Sequence, residues 1–219
     1  MIEAVIWDFG GVFTTSPFEA FNRYEAERGL PKDFIRTVNA THPDHNAWAL
    51  FERAEITAAE FDRQFREEAI ALGHDVPGAD VLPLLSGDVR PAVVEALKAC
   101  KARGLKVGCI TNNVKTGAGA GMASTMEKAA QVAEIMAQFD VVIESSKAGV
   151  RKPDPRIYQM MIDAIGVAAD RCVYLDDLGI NCKPAAALGM KAIKVTGEAQ
   201  LLADLRGVLE GYPSRLPRA

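Results

Sequence analysis

The sequence contains no apolar run approaching the roughly 18 residues needed to cross a bilayer, so no membrane association is expected. It has no surplus of positive charge either. With 25 Lys and Arg against 29 Asp and Glu, the net charge is −4, which argues against nucleic acid or an anionic membrane surface as a partner. The opening "MIEAVIWDFG" lacks the basic-then-apolar layout of a secretory leader. The four cysteines, Cys100, Cys109, Cys172 and Cys182, form no C-x-x-C pair. Two of them lie inside apolar runs, where cysteine behaves as a small buried hydrophobe. These absences predict a reduced, cytoplasmic protein without a disulfide framework. No internal repeat is present. The one biased stretch, "TGAGAGMAS" at 116–124, reads as a mobile loop. It is not a dinucleotide fingerprint, because Met122 stands where the third glycine would be. "HPDH" sets His42 and His45 three apart, but no further Cys or His lies near enough to complete a zinc site.

What is present is an ordinary globular balance, 49% hydrophobic and 25% charged over 219 residues, enough for one domain or for one domain carrying an insert. Five short apolar runs stand out: "AVIW" at 4–7, "LKVGCI" at 105–110, "DVVIE" at 140–144, "CVYL" at 172–175 and "KAIKV" at 191–195. Most are continuous rather than alternating, which suits strands covered on both faces. Between them lie helix patterns with Pro near the start and Gly at the stop, in "RPAVVEALKACKARG" and "DPRIYQMMIDAIG", and a shorter third helix in "NCKPAAALG". The alternation predicts an α/β fold, a doubly wound Rossmann-like parallel sheet. Residues 15–88 break this rhythm. They show apolar residues at helical spacing and a "TAAE" capping box at Thr57 and Glu60. The expected organisation is an α/β core of residues 1–14 and 89–219, with an all-helical cap at 15–88 inserted after the first strand. Trp48, Phe51, Phe61 and Phe65 fall at helical spacings and read as the core of that cap.

Each of three strands is followed by polar residues: Asp8 after the first, Thr111, Asn112 and Asn113 after the second, Asp176 and Asp177 after the fourth. In open α/β sheets ligands bind outside the carboxyl ends of the strands. Adjacent carboxylates repel, and a hard divalent cation is their natural partner, with Asp8 joining from a neighbouring strand. The plainer alternative is that Asp176 and Asp177 cap the following helix. Lys152, in "GVRKPDPRIY", precedes a capped helix and beside such a site would hold a phosphate.

"WDFGGV", "CITNN", "GVRKPDPRIY" and "VYLDDLGINCKPAAALGM" occur in the order of the four motifs of the haloacid dehalogenase (HAD) superfamily, which the whole chain resembles. It is similar above all to the branch containing the phosphatase domain of bifunctional soluble epoxide hydrolases and small sugar-phosphate phosphatases. The resemblance implies a cap after the first motif. It also implies an Mg2+-dependent hydrolysis of small phosphorylated metabolites through an aspartyl-phosphate on Asp8. The ion would be held by Asp8, the Gly10 carbonyl and Asp177, with Asp176 acting through a water. Thr111 and the Asn112 N–H would hold phosphate oxygens, and Lys152 would add positive charge. Asp8, Lys152 and Thr111 are thus the expected catalytic residues, and the expected assembly is a monomer or homodimer. The sequence departs from the usual pattern at Gly10, where most phosphatases of the superfamily carry an acid that protonates the leaving oxygen. Two consequences are open: a leaving group that needs little protonation, such as an anomeric or acyl phosphate, or a replacement acid among His42, His45 and Glu52. Two other activities use the same residues. A metal-independent 2-haloacid dehalogenase would also attack through Asp8, but has no use for the acid pair. A catalytically weak relative would only bind a phosphorylated ligand.

Overall fold

The computed structural model describes residues 1–114 and 125–210. The glycine-rich stretch at 116–124 therefore lies outside the described residues. Among these, five strands form one parallel sheet: β1 (Ala4–Trp7), β2 (Lys106–Thr111), β3 (Val141–Glu144), β4 (Cys172–Asp176) and β5 (Lys191–Lys194). Their order is β3-β2-β1-β4-β5, as in a doubly wound sheet whose strand order reverses beside the first strand. Every residue of β1 and β4 is buried, and so is all of β2 beyond Lys106. The edge strands β3 and β5 each bury a single residue, so the continuous apolar pattern describes the centre of the sheet and overstates its rims.

Eleven α-helices are described. In the long connection from β1 to β2 lie α1 (Pro17–Glu27), α2 (Phe34–Ala40), α3 (Ala47–Glu52), α4 (Ala58–Ala71), α5 (Gly78–Val81) and α6 (Pro91–Ala102). The remainder are α7 (Met126–Met136), α8 (Ser145–Ala148), α9 (Pro155–Ile165), α10 (Gly179–Ala187) and α11 (Glu198–Glu210). Residue alternation along β1 sorts the core into two layers. Val5 and Trp7 meet Val93 and Leu97 of α6 and Leu201 and Leu205 of α11. Ala4 and Ile6 face the other way, toward Ile157, Tyr158 and Met161 of α9. Both layers are buried and largely apolar, the burial that stabilises a parallel sheet.

The helices α1 to α5 gather a third cluster of their own, with Phe21, Phe34, Phe51, Phe61 and Phe65 at its centre. The rings of Phe51 and Phe61 stack 4.8 Å apart, and Trp48 packs edge-on against Phe61. Thr57 and Glu60 make both bonds of the capping box that starts α4. Helix α2 has no such local signal. Its first residues are held from a distance by buried Glu25, which accepts from Asp33 N (2.8 Å) and Ile35 N (2.9 Å). No described helix is long and apolar enough to cross a membrane.

Candidate active site

The strand register decides which side chains meet. Trp7 pairs with Cys109 on one side and Leu175 on the other, and Asp8 N donates to Leu175 O at 2.8 Å. The residue after β1 therefore emerges beside the last residues of β2 and β4. Asp8 Oδ1 accepts from Phe9 N at 2.7 Å and lies 2.7 Å from Lys152 Nζ. The same ammonium donates to Asp176 Oδ2 at 2.8 Å. Lys152 is only 1% exposed, so its charge has no water to rely on and needs both carboxylates.

The Lys152 backbone is also held. Its N–H donates to Asn112 Oδ1 (2.8 Å), and its carbonyl accepts from Asn112 Nδ2 (3.0 Å). The turn after β2 thereby fixes the turn before α9. Thr111 is buried beside it, at the end of β2. Asn113 turns away from this group: its amide donates to Glu144 and accepts from Ser146 N.

The two acids after β4 have different surroundings. Asp176 is wholly buried, and protein donors occupy both of its oxygens. Oδ2 receives Tyr174 OH (2.6 Å) besides Lys152, Oδ1 receives Leu178 N (2.8 Å), and Asn181 Nδ2 reaches both. The bond to Leu178 N is a cap on the turn into α10, so Asp176 has a capping contact as well as a place at the site. Asp177 is half-buried, and its carboxylate lies against Gly11. A Cβ at Gly11 would sit 2.2 Å from Asp177 Oδ2, and its φ of +74° independently favours glycine. At Gly10, by contrast, a Cβ would meet nothing within 4 Å. The place of the missing acid is open space.

Carboxylate oxygens of Asp8, Asp176 and Asp177 all lie within 4.8 Å of one another. Burial raises the Asp8 pKa well above the ordinary carboxylate range; Lys152 opposes this, and the charges of Asp176 and Asp177 reinforce it. Burial, then Asp176, pushes Asp177 up to about 6. Burial alone would lower Lys152, but Asp176 and Asp8 outweigh it and hold the ammonium above its ordinary pKa. Three carboxylates around one ammonium leave excess negative charge in a hard-oxygen site. The cluster is a candidate metal site by donor type and by charge.

Three of its neighbours, Arg90, Tyr174 and Asn181, carry no signal in the sequence. Arg90, just before α6, donates Nη1 to Gly11 O at 3.0 Å and tempers the Asp177 carboxyl. Tyr174 and Asn181 read as core and helix residues, yet both serve Asp176. Glu52, at the end of α3, is 7% exposed; its Oε2 accepts from Arg151 Nε (2.6 Å) and Asn112 Nδ2 (3.3 Å). Of the three candidate replacement acids, His42 and His45 are exposed, whereas Glu52 is committed as an acceptor to Arg151 and Asn112.

Comparison with known proteins gives a consistent family. The family model for haloacid dehalogenase-like hydrolases matches residues 2–189. Acyl-CoA dehydrogenase family member 10 of Mus musculus is 31% identical over 218 residues, which is 97% of this chain. The chain spans only 20% of that relative's length. A Mycobacterium tuberculosis protein named as a phosphatase is 29% identical over 232 residues, taking in 96% of this chain and 98% of its own. Among solved structures, a HAD family enzyme of Bacteroides thetaiotaomicron in complex with magnesium and inorganic phosphate superposes with a TM-score of 0.58 at 19% identity, covering 90% of this chain and 96% of its own. A dehalogenase with an intermediate complex superposes with a TM-score of 0.63 at 17% identity, covering 94% and 96%. At such identities the two structures establish a common fold.

Proposed function

The chain belongs to the haloacid dehalogenase-like hydrolases, and within that family we propose that it is a magnesium-dependent phosphatase of small phosphorylated metabolites. The observation that carries this reading is the position of Lys152 Nζ, 2.7 Å from Asp8 and 2.8 Å from Asp176, with Asp177 in the same oxygen cluster. A cationic hub beside a nucleophile suits an incoming phosphate dianion. An acid pair at that place would hinder the departure of a halide.

Phe9 N–H and Lys152 hold Asp8 Oδ1, which leaves Oδ2 as the attacking oxygen. It forms a bond to phosphorus as the bond to the leaving oxygen breaks, giving an aspartyl-phosphate that water then hydrolyses to phosphate and Asp8. The Thr111 hydroxyl and the Asn112 N–H take phosphate oxygens, and Lys152 balances the charge that spreads over them. Asp8, Asp177 and the Gly10 carbonyl would hold Mg2+, with Asp176 contributing through a water, in keeping with its oxygens being occupied by protein donors. The ion would supply charge neutralisation on the transferred phosphoryl group. The helices within 15–88 serve as the cap that shapes the substrate pocket.

Gly10 has no proton to give to the leaving oxygen. General acid–base help is worth about 10²–10⁴-fold, roughly 3–5 kcal/mol of barrier. The favoured substrates are therefore phosphates whose leaving group is stable as it departs, such as anomeric sugar phosphates or acyl phosphates. The relative from Mycobacterium tuberculosis, aligned over nearly all of both chains, is named as a phosphatase and supports the reaction class.

The test is release of inorganic phosphate from a panel of sugar, acyl and aryl phosphates with magnesium, beside EDTA and Asp8→Asn controls. Release abolished by both controls is expected. Release that survives either one, or chloride release from 2-chloropropionate without metal, contradicts the proposal.

A further inference from the structure

We infer that Glu52 is a positioning residue for this phosphoryl transfer, its carboxylate registering the two sheet-end turns that aim Lys152 at Asp8. The inference rests on the phosphatase reading above.

Glu52 ends α3, and its backbone carbonyl accepts from the fully buried Ser145 Oγ at 2.7 Å. That bond ties the end of the helix to the segment after β3. The side chain does something more specific. Its Oε2 receives Arg151 Nε and Asn112 Nδ2. Arg151 is the residue before Lys152. Asn112 is the residue whose amide brackets both backbone groups of Lys152. One carboxylate oxygen therefore touches the side chains that flank and clamp the hub lysine.

The amide orientation follows from donors and acceptors. The Lys152 N–H can only donate, so Asn112 Oδ1 must face it, and Nδ2 is left to serve the Lys152 carbonyl and Glu52. A residue at 52 that did not accept would leave this amide held from one side alone. Arg151 Nη1 also donates to Pro43 O (2.9 Å), so the guanidinium spans from the segment before α3 to its last residue. The Arg151 side chain is 19% exposed and that of Glu52 9%, so removing either charge leaves the other poorly solvated. Buried ion pairs contribute little net stability compared with well-packed apolar residues. A purely adhesive contact between α3 and the sheet would not need one. A contact that fixes direction at a catalytic lysine does, because ion pairs and amides specify geometry.

The experiment is a double-mutant cycle of Glu52→Met and Arg151→Met on the magnesium-loaded protein, because Gln would keep an accepting oxygen at residue 52. It reads kcat and KM for p-nitrophenyl phosphate, the inhibition constant of inorganic phosphate, and the melting temperature. Each single variant is expected to lose about tenfold in kcat with KM changed by less than about threefold. The double variant is expected to be no worse than either, since pairs in contact couple by this much. Inhibition by phosphate should weaken in parallel with kcat. Should Arg151→Met fail to fold, Arg151→Lys replaces it, with the same non-additivity expected. Losses that multiply in the double variant overturn the inference, as does a folded Glu52→Met, or Glu52→Ala in its place, within about twofold of wild type. In either case Asp8-dependent phosphate release from the parent leaves the phosphatase reading standing. No Asp8-dependent release from the parent at all removes both together.

Discussion

Lys152 Nζ lies 2.7 Å from Asp8 and 2.8 Å from Asp176, joining the strand at the centre of the sheet to the one beside it. Both partners are almost wholly inaccessible to water, so this is an ion pair without solvent screening. Lys152→Met leaves two buried carboxylates facing each other. Breaking such a pair from one side costs about 3–5 kcal/mol, and urea unfolding at pH 7 should show a loss of that order in metal-free protein. Phosphatase activity should fall by about 10²-fold or more. A stability within about 1 kcal/mol of wild type would mean that the pair is solvated and replaceable.

Asp177→Asn is expected to stabilise the metal-free fold. Burial and Asp176 push the Asp177 carboxyl up to about 6. Between its ordinary range and that value the folded protein holds more protons than the unfolded chain. Stability from this group is therefore present at low pH, is lost as pH rises through about 6, and remains lost at pH 7. A shift of about two pH units corresponds to at most about 3 kcal/mol. The amide removes the cost, so wild type and variant should differ most at pH 7 and converge below about pH 4. Magnesium should raise the melting temperature of wild type and have little effect on the variant.

Gly10→Asp tests the open space at the missing acid. A Cβ there meets nothing within 4 Å, so the variant should fold as wild type does. If an acid there donates to the leaving oxygen, turnover of alkyl phosphates should rise by about tenfold or more. Rates plotted against leaving-group pKa should become shallower. An unchanged slope with intact folding would place the leaving group elsewhere.

Gly11→Ala should behave in the opposite way. Its Cβ would fall 2.2 Å from Asp177 Oδ2 at a φ of +74°. A loss of about 1–3 kcal/mol is expected from strain and overpacking, together with weaker magnesium binding by calorimetry. The adjacent glycines thus have distinct tasks, one leaving room and one allowing approach.

How much of this was legible depended on whether the information was local. The five strands were visible because their apolar runs are short and bounded, and because the central three are buried on both faces. Helices α4 and α9 announced themselves through Thr57 with Glu60 and through Asp154, Pro155 and Gly166. Helix α2 did not, since its N-terminal donors are satisfied by Glu25 rather than by a neighbouring cap. At the site, Asp8, Thr111, Asn112, Lys152, Asp176 and Asp177 were found because each follows a strand or a motif. Arg90 and Tyr174 were not, and Glu52 stood only as a candidate replacement acid, not as the partner of Arg151 and Asn112. Arg90 and Glu52 act through partners distant in sequence. Tyr174 lies in a buried apolar strand two residues from its partner Asp176. An isolated Arg, Tyr or Glu in a helical or apolar stretch is indistinguishable from surface or core. The resemblance implies different roles for Asp176 and Asp177, but the residues themselves do not show their different surroundings. Adjacent identical residues acquire separate surroundings only when β4 ends and the chain turns.

The central claim is that Asp8 takes the phosphoryl group onto its own carboxylate. Rapid acid quenching of the protein during turnover of an acyl or aryl phosphate with magnesium, followed by peptide mass spectrometry, addresses it directly. The account predicts a peptide containing Asp8 heavier by one phosphoryl group, formed within the first turnover and absent from Asp8→Asn. Steady phosphate release with no such adduct at any quench time, or the same adduct on another residue, would contradict it.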